Sequence, residues 1–171
     1  MLDLKSPEWA HLRASSGGNG VLTAELLAEL YAGDANAWGE LCNQVCHQNT
    51  VGEVAYVAAP HLVEIAVQAG PHLKALVLFT IGDMEASRQA YPRNTAPIRP
   101  EWLAEYQRAC ADARSLAART LQERGERVDT ILLIAALAGL HGHANVAILL
   151  QSGPEPWCPE CGEPIAFGEG E

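Results

Sequence analysis

Basic side chains are scarce in this sequence. Lysine and arginine number 11 against 21 aspartates and glutamates, which gives the 171 residues a formal net charge of −10. A chain this acidic lacks the cations that hold phosphate groups, so we expect neither nucleic acid nor an anionic membrane as a partner. Residues 1–90 carry 4 basic and 10 acidic groups, and this imbalance favours a basic protein partner.

Long apolar runs are absent as well. The longest extends from Ile131 to Leu140, and it is about half as long as a helix that spans a membrane. The N-terminal segment lacks the apolar centre of a secretion signal. The five cysteines, an odd number, suggest no disulfide framework, and we expect them to be thiols or metal ligands. Together these features predict a cytoplasmic protein.

Signals for β-strands are nearly absent. Apolar and polar residues do not alternate over any long stretch, and only 6% of the residues are aromatic. Apolar residues recur instead every three to four positions, which indicates helices. The sequence therefore predicts an all-α fold over residues 1–151, a short α-solenoid or bundle of antiparallel helix pairs. Residues 152–171 are rich in Pro, Gly and Glu and are predicted to form an irregular tail around a CxxC motif.

Capping residues, glycines and prolines predict where the helices begin and end. Ser6, Thr23 and Asn36 are typical N-cap residues for the first three helices. Pro60 is expected to kink or split the fourth helix, and the apolar helix from Ile131 to Leu140 is predicted to be the buried centre of the fold. The later helices are predicted at 51–69, from 71 onward, at 100–124, at 131–140 and at 144–151.

One stretch of the sequence resembles a group of bacterial proteins. Residues 38–51 read WGELCNQVCHQNTV and are followed by AAPHL at 58–62. This is similar to HEAT-like, armadillo-type repeat proteins, in which a Trp-led helix, a His-Gln-Gly-Thr-Val corner and a proline-containing helix follow one another. Asn49 replaces the usual glycine and tolerates a left-handed backbone next best. The resemblance, over roughly residues 5–151, implies an α-solenoid that acts as an interaction scaffold.

The corner of this motif, His47 to Thr50, has two interpretations. Its polar side chains could line a small-molecule or catalytic pocket, or they could satisfy backbone groups at the helix ends. The second interpretation is favoured, because Thr50 is placed to cap a helix that starts at Val51 and Glu53 would complete a capping box. Cys42, Cys46 and Cys110 lie on apolar stripes, and we expect them to be buried.

A CxxC motif near the C-terminus is the sharpest chemical signal. Cys158 and Cys161 are separated by Pro-Glu and followed by Gly162, which is typical of a zinc knuckle. A structural zinc needs four ligands, so two more must come from elsewhere. The candidate sources are His141 with His143, the cluster of Cys42, Cys46 and His47, or the knuckle of a second chain. For His141 and His143 the favoured interpretation is that they cap backbone carbonyls at the end of the Ile131–Leu140 helix. Free thiols and a redox dithiol are the alternatives to zinc.

No established catalytic motif is present in the sequence. The Gly-rich stretch from Gly17 to Gly20 lacks the Gly-Lys-Ser/Thr of a P-loop, and neither a Gly-x-Ser-x-Gly elbow nor a His-Glu-x-x-His helix occurs. Three hypotheses follow. The favoured one is a non-catalytic scaffold for protein binding with a structural zinc. The others are a metal-dependent enzyme and a zinc-bridged homodimer. The predicted metal ligands are His141, His143, Cys158 and Cys161.

Overall fold

The computed structural model describes residues 1–123 and 127–151. Within these ranges the chain is mainly helical, which confirms the predicted all-α class. The seven described helices are α1 (Val21–Tyr31), α2 (Ala37–Val45), α3 (Glu53–Gln68), α4 (Pro71–Ala90), α5 (Pro100–Gln122), α6 (Arg127–Leu140) and α7 (Ala144–Gln151). Short 3-10 turns lie at Pro7–His11 and Pro92–Asn94, and a two-stranded hairpin pairs β1 (Cys46–His47) with β2 (Thr50–Val51).

Several helix boundaries coincide with the breaks that the sequence predicts. Ser6 caps the first 3-10 turn, because its Oγ accepts a hydrogen bond of 3.2 Å from the N–H of Glu8. Proline occupies the first position of both α4 and α5, where its missing N–H breaks no helical bond. The prediction for Thr23 is wrong, since α1 begins two residues earlier and Thr23 is fully buried.

The α3 helix corrects two predictions. It runs without interruption through Pro60, so the proline does not split it. The carbonyl of Tyr56 loses its usual helical donor at that point, but most of the residues from Val54 to Ala66 are buried, and that burial outweighs one lost bond. The helix begins at Glu53 with Gly52 as its N-cap residue. The predicted capping role of Thr50 is therefore wrong.

The polar corner after α2 is a tight β-hairpin. His47 pairs with Thr50, and Cys46 pairs with Val51. Gln48 and Asn49 have φ angles of +48° and +60°, as the two central residues of a type I′ turn require. Asn49 therefore adopts the left-handed conformation that was expected of it. Two residues per strand are too few for an alternating pattern, which explains why the sequence gives no β signal here.

The α4 helix occupies the centre of the described fold. It packs against α3, α5, α6 and α7, and one apolar core extends from Trp9 to Leu140. The α6 helix crosses α4 so closely that a Cβ on Gly139 would lie 2.2 Å from the carbonyl oxygen of Gly82. The prediction that α6 is the buried centre is wrong, because Ile131 and Ile134 are 39% and 41% exposed.

None of the helices that the structure describes combines the length and the apolar character needed to cross a membrane.

Candidate functional site

The two histidines of the predicted metal site lie in the turn between α6 and α7. Gly142 has a φ of +84°, and the N–H groups of Gly142 and His143 bond the carbonyls of Gly139 and Ala138 at 3.1 and 2.8 Å. This is a Schellman motif, so backbone groups rather than the rings cap α6. The side chains of His141 and His143 are exposed. Neither ring takes part in a hydrogen bond within the described part of the chain.

The two other predicted ligands, Cys158 and Cys161, lie outside the described residues. Across residues 1–123 and 127–151, no group of three or more His, Cys, Asp or Glu side chains is arranged to hold a metal ion. The described part of the chain thus supplies at most a partial metal site. A complete site requires ligands from residues 152–171 or from a second chain.

The second predicted ligand source, Cys42 with Cys46 and His47, does not converge on one point. The Cys42 thiol lies 3.7 Å from the hydroxyl of Thr80, and the Cys46 thiol donates to Asp83 Oδ2 at 3.5 Å. The ring of His47 instead lies 3.3 Å from the Asn43 side-chain oxygen. The three side chains are therefore already engaged with separate partners.

Burial also controls the chemistry of these thiols. It raises the pKa of Cys42 to about 11 and raises the pKa of Cys46 still further, with the nearby Asp83 carboxylate adding to the effect. Burial likewise raises the pKa of Cys110, which is 8% exposed, to about 12. Because the thiolate is the reactive form, all three side chains are poor nucleophiles at neutral pH.

A polar group that the sequence analysis did not find joins α1, α3 and the N-terminal segment. The hydroxyl of Tyr31 donates to Glu64 Oε2 at 2.8 Å and lies 3.1 Å from Nδ1 of His61. On its other side, Nε2 of His61 donates to the carbonyl of Leu2 at 2.8 Å. Each ring nitrogen thus has a polar neighbour at hydrogen-bond distance, and burial lowers the pKa of His61. These contacts hold the N-terminal segment against α1 and α3.

A second undetected group lies between α4 and α5. Glu85 accepts a hydrogen bond of 2.8 Å from the hydroxyl of Tyr106 and forms a two-point ion pair with Arg88. Burial alone would raise the pKa of Glu85, but the hydrogen bonds and charge of Arg88 outweigh it and lower that pKa. The group is fully paired, so it stabilises the helix pair and offers no open position for a substrate.

The surface of α1 and α2 differs from these interior groups in having unpaired charge. No Lys or Arg occurs between Ala14 and Leu73. Four exposed carboxylates of this stretch, Glu25, Glu29, Asp34 and Glu40, define what we call the acidic surface. None of the four takes part in an ion pair with any described residue.

Apolar side chains accompany the acidic surface at the start of α1. Val21 and Leu22 are 41% and 40% exposed, and Leu22 shares one helix face with Glu25 and Glu29, three and seven residues further on. The two other carboxylates of the same stretch, Glu53 and Glu64, are engaged by Arg99 and Tyr31. Glu40 and Asp34 also accept hydrogen bonds, from the neutral side chains of Gln44 and Asn36, so their negative charge is not compensated by a cation. The sequence predicts the excess of negative charge, but only the structure shows which carboxylates lie next to a cation.

Comparisons with protein-family models, with curated proteins and with solved structures give no match for this chain.

Proposed function

We propose that this chain is a non-catalytic helical scaffold that binds a basic segment of another protein through the acidic surface. The observation that carries the proposal is a set of four exposed carboxylates, on α1, on α2 and in the turn between them, that have no cationic partner among the described residues. A basic ligand would neutralise charges that the chain itself leaves unpaired, and it would be steered there by the negative field. Val21 and Leu22 would supply apolar contact beside the charges.

The helical arrangement that we propose for this scaffold is a short HEAT-like solenoid. Its support is the order of packing, because α1 contacts α2, α3 contacts α4, and α5 and α7 each contact α6. Packing of a helix against the helix that precedes or follows it in the sequence is typical of helix-pair repeats. The short hairpin that connects α2 to α3 supports the same proposal, because it restricts the orientation of one helix relative to the other.

The absence of catalysis is also part of the proposal. Its support is that the described candidates for chemistry are engaged or kept in an unreactive state. The Cys42 and Cys46 thiols stay protonated at neutral pH, and the ring of His61 lies between the Tyr31 hydroxyl and the Leu2 carbonyl, within hydrogen-bond distance of both. A nucleophile needs an adjacent base within hydrogen-bond reach. The described side chains that lie this close to a base, such as Cys46 beside Asp83, are in contacts that hold one helix against another.

The proposed binding is tested with a lysine- and arginine-rich peptide as probe. We expect the peptide to bind at low salt and to lose affinity as the salt concentration rises. The variant E25Q/E29Q/D34N/E40Q should bind about tenfold more weakly, since four exposed ion pairs contribute roughly 0.3–0.5 kcal/mol each. Isothermal titration calorimetry measures both affinities.

A control variant, which removes three negative charges where the test variant removes four, separates the effect of a specific surface from that of net charge. E101Q/D112N/E123Q removes exposed carboxylates from α5 and from the residue that follows it, so it changes the total charge without touching α1 or α2. We expect it to weaken binding about twofold or less. Equal losses in both variants, or no binding at any salt concentration, would contradict the proposal.

A structural zinc, held by Cys158 and Cys161 together with His141 and His143, is the second part of the proposal. Its support is that both histidine rings are exposed and form no hydrogen bond with another described residue. The seven residues that follow Gln151, up to and including Cys158, can extend up to about 23 Å, and α7 is about 12 Å long, so Cys158 can reach back to His143.

Elemental analysis of the purified protein tests the zinc proposal. We expect one zinc per chain, lost in C158S/C161S and weakened in H141A/H143A. Half a zinc per chain, with a dimer that separates on addition of chelator, would support instead the zinc-bridged homodimer. A metal with an open coordination position would favour the metal-dependent enzyme. Protein free of metal after purification in zinc-containing buffer would contradict all three.

A further inference from the structure

A small pocket with a volume of about 290 Å³ opens where three loops meet. Its walls come from the Gly-rich loop that begins at Arg13, from the segment around β2 and Gly52, and from the loop over residues 93–97. Among the residues that the structure describes, Arg13 and Arg93 are the only charged ones that line it, and no carboxylate is among the lining side chains. Such a lining is unusual in a chain with a net charge of −10.

Hydrogen bonds between the three loops fix the shape of this pocket. The N–H of Ala96 donates to the carbonyl of Val51 at 2.9 Å, which joins the 93–97 loop to β2. The N–H of Gly52 donates to Ser15 Oγ at 2.8 Å, and that hydroxyl donates to the carbonyl of Val45 at 2.7 Å. The pocket is therefore formed before any ligand arrives.

The close approach of the loops leaves no room for a side chain at Gly52. A Cβ there would lie 2.6 Å from the carbonyl oxygen of Arg13. The backbone that carries one of the two arginines is thus held directly against the backbone of the β2 segment.

The positive charges of the two guanidinium groups are only weakly neutralised by carboxylates of the described residues. The side chain of Arg13 is 74% exposed and its Nε lies 4.0 Å from Glu53. The Glu53 carboxylate is meanwhile engaged by Arg99, whose Nε and terminal nitrogen lie 3.3 Å from Oε1. Arg93 is exposed and has no hydrogen bond or ion pair with another described residue. The pocket consequently presents positive charge that is still available to a ligand.

We propose that this pocket binds an oxyanion group, the phosphate or carboxylate of a small acidic metabolite, between Arg13 and Arg93. The planar guanidinium fork matches both kinds of group and can bond either through two parallel N–H donors. Thr50 and Asn94 line the same pocket and add a hydroxyl and an amide donor. The volume lies at the lower limit of ligand sites, which fits a small metabolite better than a nucleotide.

Calorimetric titration of the full chain with inorganic phosphate and, separately, with malonate tests this site. We expect millimolar binding at low ionic strength, weakened about tenfold by Arg13→Gln or Arg93→Gln, because each removes one charge-assisted contact. Arg108→Gln is the control, since it removes an exposed arginine from α5 and should leave the affinity within about twofold. Circular dichroism verifies that each variant is folded.

The two probes also distinguish the source of the oxyanion. Binding of phosphate alone identifies a phosphorylated ligand, binding of malonate alone identifies a carboxylate, and binding of both identifies a general oxyanion site; each result supports the proposal. In the unmodified protein, nuclear magnetic resonance should show the amides of residues 93–96 shifting during the titration. No binding of either probe up to tens of millimolar, or an equal loss in the Arg108→Gln control, would overturn the proposal.

Discussion

Burial decides the charge state of the ionisable side chains that lie between the helices. The Cys42 and Cys46 thiols are kept protonated because a buried thiolate has lost its hydration. Glu85 stays ionised despite its burial, because Arg88 faces it directly. In the described part of the chain, charges without an oppositely charged partner are consequently found on the surface, among them the carboxylates of the acidic surface and the two pocket arginines.

The buried ring of His61 makes stability depend on pH. Burial lowers the pKa of His61 below its ordinary value of 6.5, and the Leu2 carbonyl and Glu64 offset only part of that effect. The unfolded chain therefore takes up a proton at His61 more readily than the folded protein. We expect the free energy of unfolding to fall as pH drops below 6.5, by up to about 1.4 kcal/mol per pH unit from this residue.

Urea denaturation at pH 7.5 and pH 5.5 measures this dependence. The variant His61→Gln should lose less stability between the two pH values than the unmodified protein does, although it is less stable at both. His11→Gln is the control, because His11 is exposed and its replacement should leave the full dependence in place. An unchanged pH dependence in His61→Gln would show that the ring is not held neutral by burial.

The half-buried thiols should react slowly while the protein is folded. A pKa near 11 instead of 9 for Cys42 reduces its thiolate fraction at pH 7.5 about hundredfold. We expect iodoacetamide to label Cys42 at least that much more slowly in the native protein than in urea, and Cys46 more slowly still. Peptide mapping by mass spectrometry resolves each cysteine. Rapid native labelling of either thiol would be evidence for an activated cysteine and against the non-catalytic proposal.

At the scale of the secondary-structure elements, the crossing of α4 and α6 is the tightest contact. Added Cβ atoms at Gly82 and Gly139 would lie 2.5 Å from the Ala136 Cα and 2.2 Å from the Gly82 carbonyl oxygen. Since these neighbours are backbone atoms, they can yield only if the two helices separate. We expect Gly139→Ala to lower the free energy of unfolding by about 2–3 kcal/mol, as measured by urea denaturation.

Gly39 provides the comparison for this prediction. It lies within α2, and a Cβ there would meet no atom within 4 Å. Gly39→Ala should therefore raise stability by about 0.5–1 kcal/mol through the helix propensity of alanine. If the two substitutions changed stability by similar amounts, backbone contact between α4 and α6 would not be the cause.

Helix boundaries could be predicted wherever a local rule decides them. The Gly70-Pro71 break and the proline start of α5 depend on the backbone chemistry of one or two residues, and both predictions are confirmed. The predictions of a split at Pro60 and of a helix cap at Thr50 failed because tertiary packing overrode local preference. The hairpin required two residues in left-handed conformation, of which only Asn49 was visible from the sequence.

At the scale of the whole molecule, the sequence predicted the sign of the surface charge but not its distribution. The polar groups of the interior join residues that are far apart in the chain, such as Tyr31 with His61 and Glu53 with Arg99. No pattern of spacing in a single sequence identifies such pairs. The pocket of Arg13 and Arg93 was missed for the same reason, because its walls come together only through the contact of β2 with the two loops.

The location of a bound basic peptide tests the central claim most directly. Amide signals in nuclear magnetic resonance are followed while the unlabelled lysine- and arginine-rich peptide is titrated into isotopically labelled protein at low salt. We expect the largest shifts on the exposed residues of α1 and α2, around Glu25, Glu29, Asp34 and Glu40, with α5 little affected. Shifts concentrated on α5 to α7, or spread evenly over the surface, would contradict the account of this protein as a scaffold that binds through its acidic surface.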